Sequence, residues 1–459
     1  MIGAGRNTAL LAAPDRARAL ARAGFPALVL TATVVAAACS YSTTGRFFNQ
    51  IAVAVGAVAL VLAVLVMGGT GGGWSAYRRW PLVASALLSV AVQLYKPPIG
   101  NVQRALVFPA VLAVSALATL AIAVLAGGLL DRFGKRLTER GVLAVLVVLG
   151  VCELAIVASS HHPAIDVWQI FQQAAAGLGH GVNPYAVSYQ HIPAGQTAGC
   201  FNYLPVTFLS VWPSWAVADD ARYAEVAVLL AGWAVLARTI LRRSAGEPRL
   251  RALLLLAVAV SLTGALRVGQ QAWNESLLLG FLLLACCALL AGRAGWAVLL
   301  LGLALATKQH IALLLPVFVL WPGLGWRRTG GAVAVAAAVS APWVFWNFGR
   351  FKGCTVDFFV HGVARFDSIS LWHFVPSPVA PVVPVLAVLG AYLLVYRRVP
   401  RSPGGLLIGC ALVLYAFNLF NKQSFENQWW FTAELLLCGL ALLLARPAAD
   451  RAAEPAPVG

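Results

Sequence analysis

The stretch HHPAIDVWQIFQQAAAGLGHGVNPY, residues 161–185, gathers the side chains of this protein best suited to chemistry. Asp166 offers a carboxylate that can take a proton, while His161, His162 and His180 can hold a phosphate or a hydroxyl group. Val167, Ile170, Phe171, Ala174, Ala175 and Leu178 recur at helical spacing, which predicts one apolar stripe with Asp166 in the first turn. Gly177, Gly179 and Gly181 end that helix, and Asn183-Pro184-Tyr185 turns the chain. An amphipathic helix of this kind is expected to lie on a membrane surface. An acid in a first turn also complements the helix dipole without doing any chemistry. Both roles stand for Asp166 on the sequence.

The surrounding sequence is that of a membrane protein. Of 459 residues, 61% are hydrophobic and only 11% charged, with a mean hydropathy of +0.83. A soluble domain would carry about a quarter charged residues. Apolar runs of helical length recur from end to end, which predicts an all-α polytopic protein rather than a transmembrane barrel. Fourteen spans are expected, at about residues 25–41, 51–68, 81–95, 107–127, 141–159, 223–241, 250–265, 275–291, 295–306, 310–321, 330–346, 379–396, 404–420 and 429–445. The segment 201–217 is also apolar, but its two prolines and four polar residues suit a helix that dips into the outer leaflet and returns.

Charge sets the expected orientation. The net charge of +17 is spread in short basic clusters between spans, which excludes a nucleic-acid partner and follows the positive-inside rule. With both termini cytoplasmic, 23 Lys and Arg fall inside and 10 outside, summing to the 33 in the chain. The long loops 160–222 and 347–378 then face outward, and all seven histidines lie in or beside outer segments. Chemistry is therefore expected on the extracytoplasmic face of a cell membrane.

Asp166, the GVNPY turn at 181–185 and NYLP at 202–205 together resemble the GT-C glycosyltransferases, in particular the polyprenol-phosphate-mannose-dependent mannosyltransferases. RVGQQAWNESLLLG is similar to that family's GQ-x-N segment, LALATKQHIALLLPV to its A-x-K segment, and NKQSFENQWW to its C-terminal lysine segment. Leu204 stands where the family commonly has a proline. The resemblance covers roughly residues 140–446 of an expected core at 129–446, with 1–128 an added extension of about four spans and 447–459 a disordered cytoplasmic tail.

The resemblance implies transfer of a sugar, mannose favoured, from a polyprenyl-phosphate donor to a glycolipid or cell-envelope glycan, with inversion. Asp166 would be the general base. Arg267, Lys308, Arg365 and Lys422, at outer edges of spans, are candidates for the donor phosphate, with snorkelling to the headgroups as their alternative role. Candidates for contact with substrate are His161, His162, His180, Asn183, Tyr185, Tyr203, Gln270, Asn274 and Glu275. No cofactor is implied beyond the lipid-linked sugar itself, membrane lipids are the other partner, and no His/Cys spacing supports a metal.

Glu153 lies inside a predicted span and needs a partner there. Cys200 and Cys354 share the outer side, which permits a disulfide without establishing one. The competing function is a transporter or lipid-linked-sugar flippase, which predicts internal repeats and charges near the bilayer midplane. No clear repeat is present in the sequence.

Overall fold

The computed structural model describes residues 56–57, 79–95, 107–190, 199–262, 264–362, 368–372, 375, 379 and 381–445. Among these the protein is all-helical. In chain order the main helices are α1 (Trp80–Tyr95), α2 (Val107–Ala126), α3 (Lys135–Ser159), α4 (Asp166–Gly179), α5 (Pro205–Ala218), α6 (Arg222–Arg243), α7 (Gly246–Val260) and α8 (Ala265–Gln270). They continue with α9 (Glu275–Leu290), α10 (Ala294–Leu305), α11 (Leu315–Leu320), α12 (Gly325–Trp346), α13 (Val382–Arg398), α14 (Pro403–Phe420) and α15 (Glu426–Leu444).

Six helices among the described residues are long and apolar enough to cross a membrane: α2, α3, α6, α12, α14 and α15. All six coincide with spans expected from the sequence. Helices form at the predicted places, but α1 and α9 have 16 residues and α10 has 12. At ~1.5 Å per residue these are shorter than a bilayer core of about 30 Å. The runs at 25–41 and most of 51–68 lie outside the described residues, as does the tail at 447–459.

The bundle is layered. α7, α9, α14 and α15 form its centre: 94% of the apolar window of α15 is buried, against 17% for α12 at the periphery. Leu117, Val385, Leu386 and Leu389, on α2 and α13, stay exposed and form an apolar outer surface suited to lipid. Glycine lets the central helices approach. A Cβ on Gly404 of α14 would meet the Gly439 carbonyl oxygen of α15 at 2.8 Å, and the reverse contact would be 2.7 Å. Such close backbone contact is how helices gain dispersion energy where no hydrophobic drive exists between them.

Two polar assemblies mark the ends of α3. At its start, Arg79 bridges Asp131 (2.7 Å) and Glu247 (2.8 Å), and Lys135 and Arg251 also bind Glu247. This ties the chain just before α1 to the start of α7, so the described part of the N-terminal extension packs directly on the core. At the other end of α3 lies the candidate site. The 25 residues of α3 span about 37 Å between the two.

The stripe on α4 is real, but its burial has another cause than the one expected. Val167, Ile170, Phe171, Ala174 and Ala175 are buried against Phe201, Tyr203 and Phe208, which form a second, aromatic core. The apolar face is spent on the protein's own α5 region rather than on lipid. Edge-to-face contacts link Phe171 to Tyr203, Tyr185 to Phe201 and Phe208 to Trp343.

Candidate functional site

Four separated segments meet beside this aromatic core. The backbone N–H of Leu204 donates to the Thr307 carbonyl (3.1 Å), and Val206 N–H donates to Ala306 (2.9 Å). Thr207 Oγ1 donates to the Thr307 carbonyl (3.0 Å), and Asn274 Nδ2 donates to Thr207 Oγ1 (3.4 Å). Gln309 Nε2 bridges the carbonyls of Asn202 and Thr355, both at 3.1 Å. The NYLP, GQQAWNE and ATKQH segments are therefore one unit. A Cys200–Cys354 disulfide adds the later loop to it, joining residues 154 apart.

At the centre stands Tyr203. Lys308 Nζ lies 5.4 Å from its ring centre, and Lys308 pairs with Glu275 Oε1 at 2.6 Å. Burial comes first, then the neighbouring Asp166, Glu275 and Glu225 carboxyls, in pushing the Tyr203 phenol well above its ordinary range. Tyr203 thus keeps its proton as a donor, and three acids from three segments surround it. Asp166 is half-buried at the start of α4, where its Oδ1 accepts from the Val167 N–H (2.8 Å).

The other sequence-predicted residues separate into groups. Gln270, Asn274 and Glu275 are fully buried: Glu275 is on Lys308, Asn274 is bonded to Thr207, and the Gln270 carbonyl accepts from Arg222. Ala272, between them, holds a left-handed φ of +57°, a strained backbone of the sort that collects at functional sites. Asn183 and Tyr185 serve the loop itself: Asn183 Oδ1 accepts from Tyr185 N–H (3.0 Å), and the buried Tyr185 hydroxyl donates to the Tyr203 carbonyl (2.9 Å). His162 packs edge-on against Trp168, His161 is half-exposed, and the exposed His180 ring bonds to the Ala176 carbonyl.

Among the cations, Arg267 pairs with Glu426 at 3.0 Å, and Lys422 donates to the carbonyls of Val360 and Gly362. Arg365 lies outside the described residues. A phosphate at Lys308 or Arg267 would therefore compete with an acid already in place. No three His, Cys, Asp or Glu side chains among the described residues are grouped to hold a metal.

Three buried groups were missed in the sequence. Arg222, fully buried, pairs with Asp220 and donates to the carbonyls of Ser160 (2.8 Å), Val157 (3.3 Å) and Gln270 (2.9 Å). It staples the ends of α3 and α8 to the start of α6, and so fixes the frame around the site. Glu225, one turn further, is 1% exposed, and among the described residues neither carboxyl oxygen has a hydrogen-bond partner. Glu434 is buried within α15. An acid inside an apolar span is itself a signal of function, and that signal was present at Glu434 as at Glu153. No protein-family model, no curated protein and no solved structure matches the chain.

Proposed function

We propose that this protein is a membrane glycosyltransferase that moves a sugar, mannose favoured, from a polyprenyl-phosphate donor to a glycolipid or cell-envelope glycan. The observation that carries this is the meeting of Asp166, Tyr203, Glu275 and Lys308, four residues spread over 142 positions of the chain. Asp166 takes the proton from the acceptor hydroxyl. Lys308, drawn from Glu275, neutralises the phosphate that leaves, aided by Arg267 and Lys422 at nearby helix ends. Inversion follows from direct displacement with one base. The charge asymmetry of 23 to 10 supports an outward-facing site and cytoplasmic termini in a cell membrane.

The alternative is a transporter or lipid-linked-sugar flippase without glycosyl transfer. The buried Glu153 and Glu434, each with a carboxyl oxygen that has no hydrogen-bond partner among the described residues, favour it. The experiment that separates the two is incorporation of label from polyprenyl-phosphate [3H]mannose, or its pentose counterpart, into lipid and glycan by membranes carrying the protein. Incorporation that depends on the protein supports transfer. Movement of the donor between leaflets with no new glycosidic product supports the flippase.

A further inference from the structure

Glu225 complements the dipole of α6 from its first turn, but that role asks for no burial, and its depth has no hydrogen bond among the described residues to account for it. Its carboxyl is 1% exposed on the first turn of α6, and its two oxygens lack a hydrogen-bond partner among the described residues. The nearest cation on its own helix, Arg222, is committed to Asp220 and three backbone carbonyls. Lys308, which acts on Glu225 electrostatically, is in contact with Glu275 instead. A buried polar group without partners costs about 1–3 kcal/mol, and more when charged. A leucine would pack there without that cost. Two further buried atoms share the condition: Asn274 Oδ1 and Gln270 Nε2 are likewise without partners among the described residues. Asn274 is fixed toward the site by its bond to Thr207, and Glu225 acts on Tyr203 and Glu275.

We infer that Glu225, with Asn274 and Gln270, holds the transferred sugar ring of the donor through two adjacent hydroxyl groups, an inference that rests on the glycosyl transfer proposed above. The two oxygens of one carboxyl group match a vicinal diol, each sharing one hydrogen bond with a hydroxyl. Asn274 Oδ1 accepts a further hydroxyl proton, and Gln270 Nε2 donates to a hydroxyl oxygen. Depth decides between donor and acceptor. Glu225 is fully buried near Lys308, where the leaving phosphate is placed, whereas Asp166 is half-buried and meets the incoming acceptor.

The test uses purified full-length protein, the polyprenyl-phosphate sugar that the membranes use, and monodeoxy versions of that donor. Wild-type protein is expected to lose roughly tenfold to a hundredfold in kcat/KM with the donors lacking a hydroxyl bound by Glu225. Glu225→Ala and Glu225→Gln should lose a similar factor with the full donor, mainly through donor KM, and should no longer distinguish it from those deoxy donors. Melting temperature in detergent reports folding. If Glu225→Ala does not fold, the glutamine variant decides. A glutamine variant with wild-type KM and undiminished discrimination overturns the assignment of Glu225 while leaving glycosyl transfer intact. Wild-type protein that forms no glycosidic product overturns both.

Discussion

Glu225 and Glu247 are acids in the first turns of two consecutive helices, α6 and α7, at opposite ends of the bundle. Glu247 is surrounded by cations: Arg79 and Arg251 reach Oε1, and Arg79 and Lys135 reach Oε2. Partial burial works to raise its carboxyl, but these hydrogen bonds and charges outweigh it and hold the group down to about 2. Glu225 is more deeply buried and has neither a bonded cation nor a hydrogen-bond partner among the described residues. At the Glu247 end the protein satisfies its own charges, and the result is a clasp between the chain before α1, the start of α3 and α7. At the Glu225 end buried polar atoms are without partners among the described residues, beside the Arg222 staple. Unsatisfied buried atoms cost stability, and the donor-sugar binding proposed above would offset that cost.

The comparison can be broken at several strengths. Asp166→Asn should have the largest effect, a fall in turnover of roughly 10²–10⁴ with normal insertion and donor binding, because an amide cannot take a proton. Near-normal turnover by the purified variant would remove Asp166 from the chemistry and leave it as a first-turn acid, a role asparagine fills well. Arg222→Ala comes next. It leaves Asp220 buried without its cation, a loss of ~3–5 kcal/mol, and should appear as a large drop in melting temperature or in folded yield.

The Cys200–Cys354 link tests how far the frame matters to the site. Cys200→Ser should destabilise by about 2–4 kcal/mol and weaken transfer, since the disulfide brings the Thr355 carbonyl to Gln309. Free thiols found at both positions by mass mapping would contradict it. The smallest effect is expected at the clasp. A carboxyl with a depressed folded pKa gives stability that is full above its unfolded value of 4.5 and lost as pH falls toward about 2. Melting temperature should therefore fall between pH 4.5 and pH 2 more steeply in wild type than in Glu247→Gln, where this contribution is already gone.

Much of the fold was legible because period and charge are local properties. The stripe from Val167 to Leu178 gave α4 within a residue of its observed bounds, and the apolar runs located the helices of the core. Their lengths were less legible, since a 12-residue apolar helix such as α10 and a true span share a composition. The site was half legible. Asp166, Lys308 and Glu275 stand out as polar residues at the edges of apolar runs, but the ion pair of the last two is a tertiary fact with 33 residues between them. Glu225 in RYAEVAV reads as an ordinary helix-start charge, and only packing reveals that its carboxyl is buried with no hydrogen-bond partner among the described residues. The Cys200–Cys354 pairing was equally hidden, because a separation of 154 residues says nothing about proximity.

The most direct measurement is a thermal melt of wild type, Glu225→Gln and Glu247→Gln, each with and without polyprenyl-phosphate mannose. Glu225→Gln keeps the size and shape of the side chain and should be as stable as wild type, while the donor raises its melting temperature far less than it raises that of wild type. Glu247→Gln should melt lower and respond to donor as wild type does. A Glu225→Gln variant that melts well below wild type yet keeps the full donor response would contradict the account, making Glu225 part of the frame and not of the site.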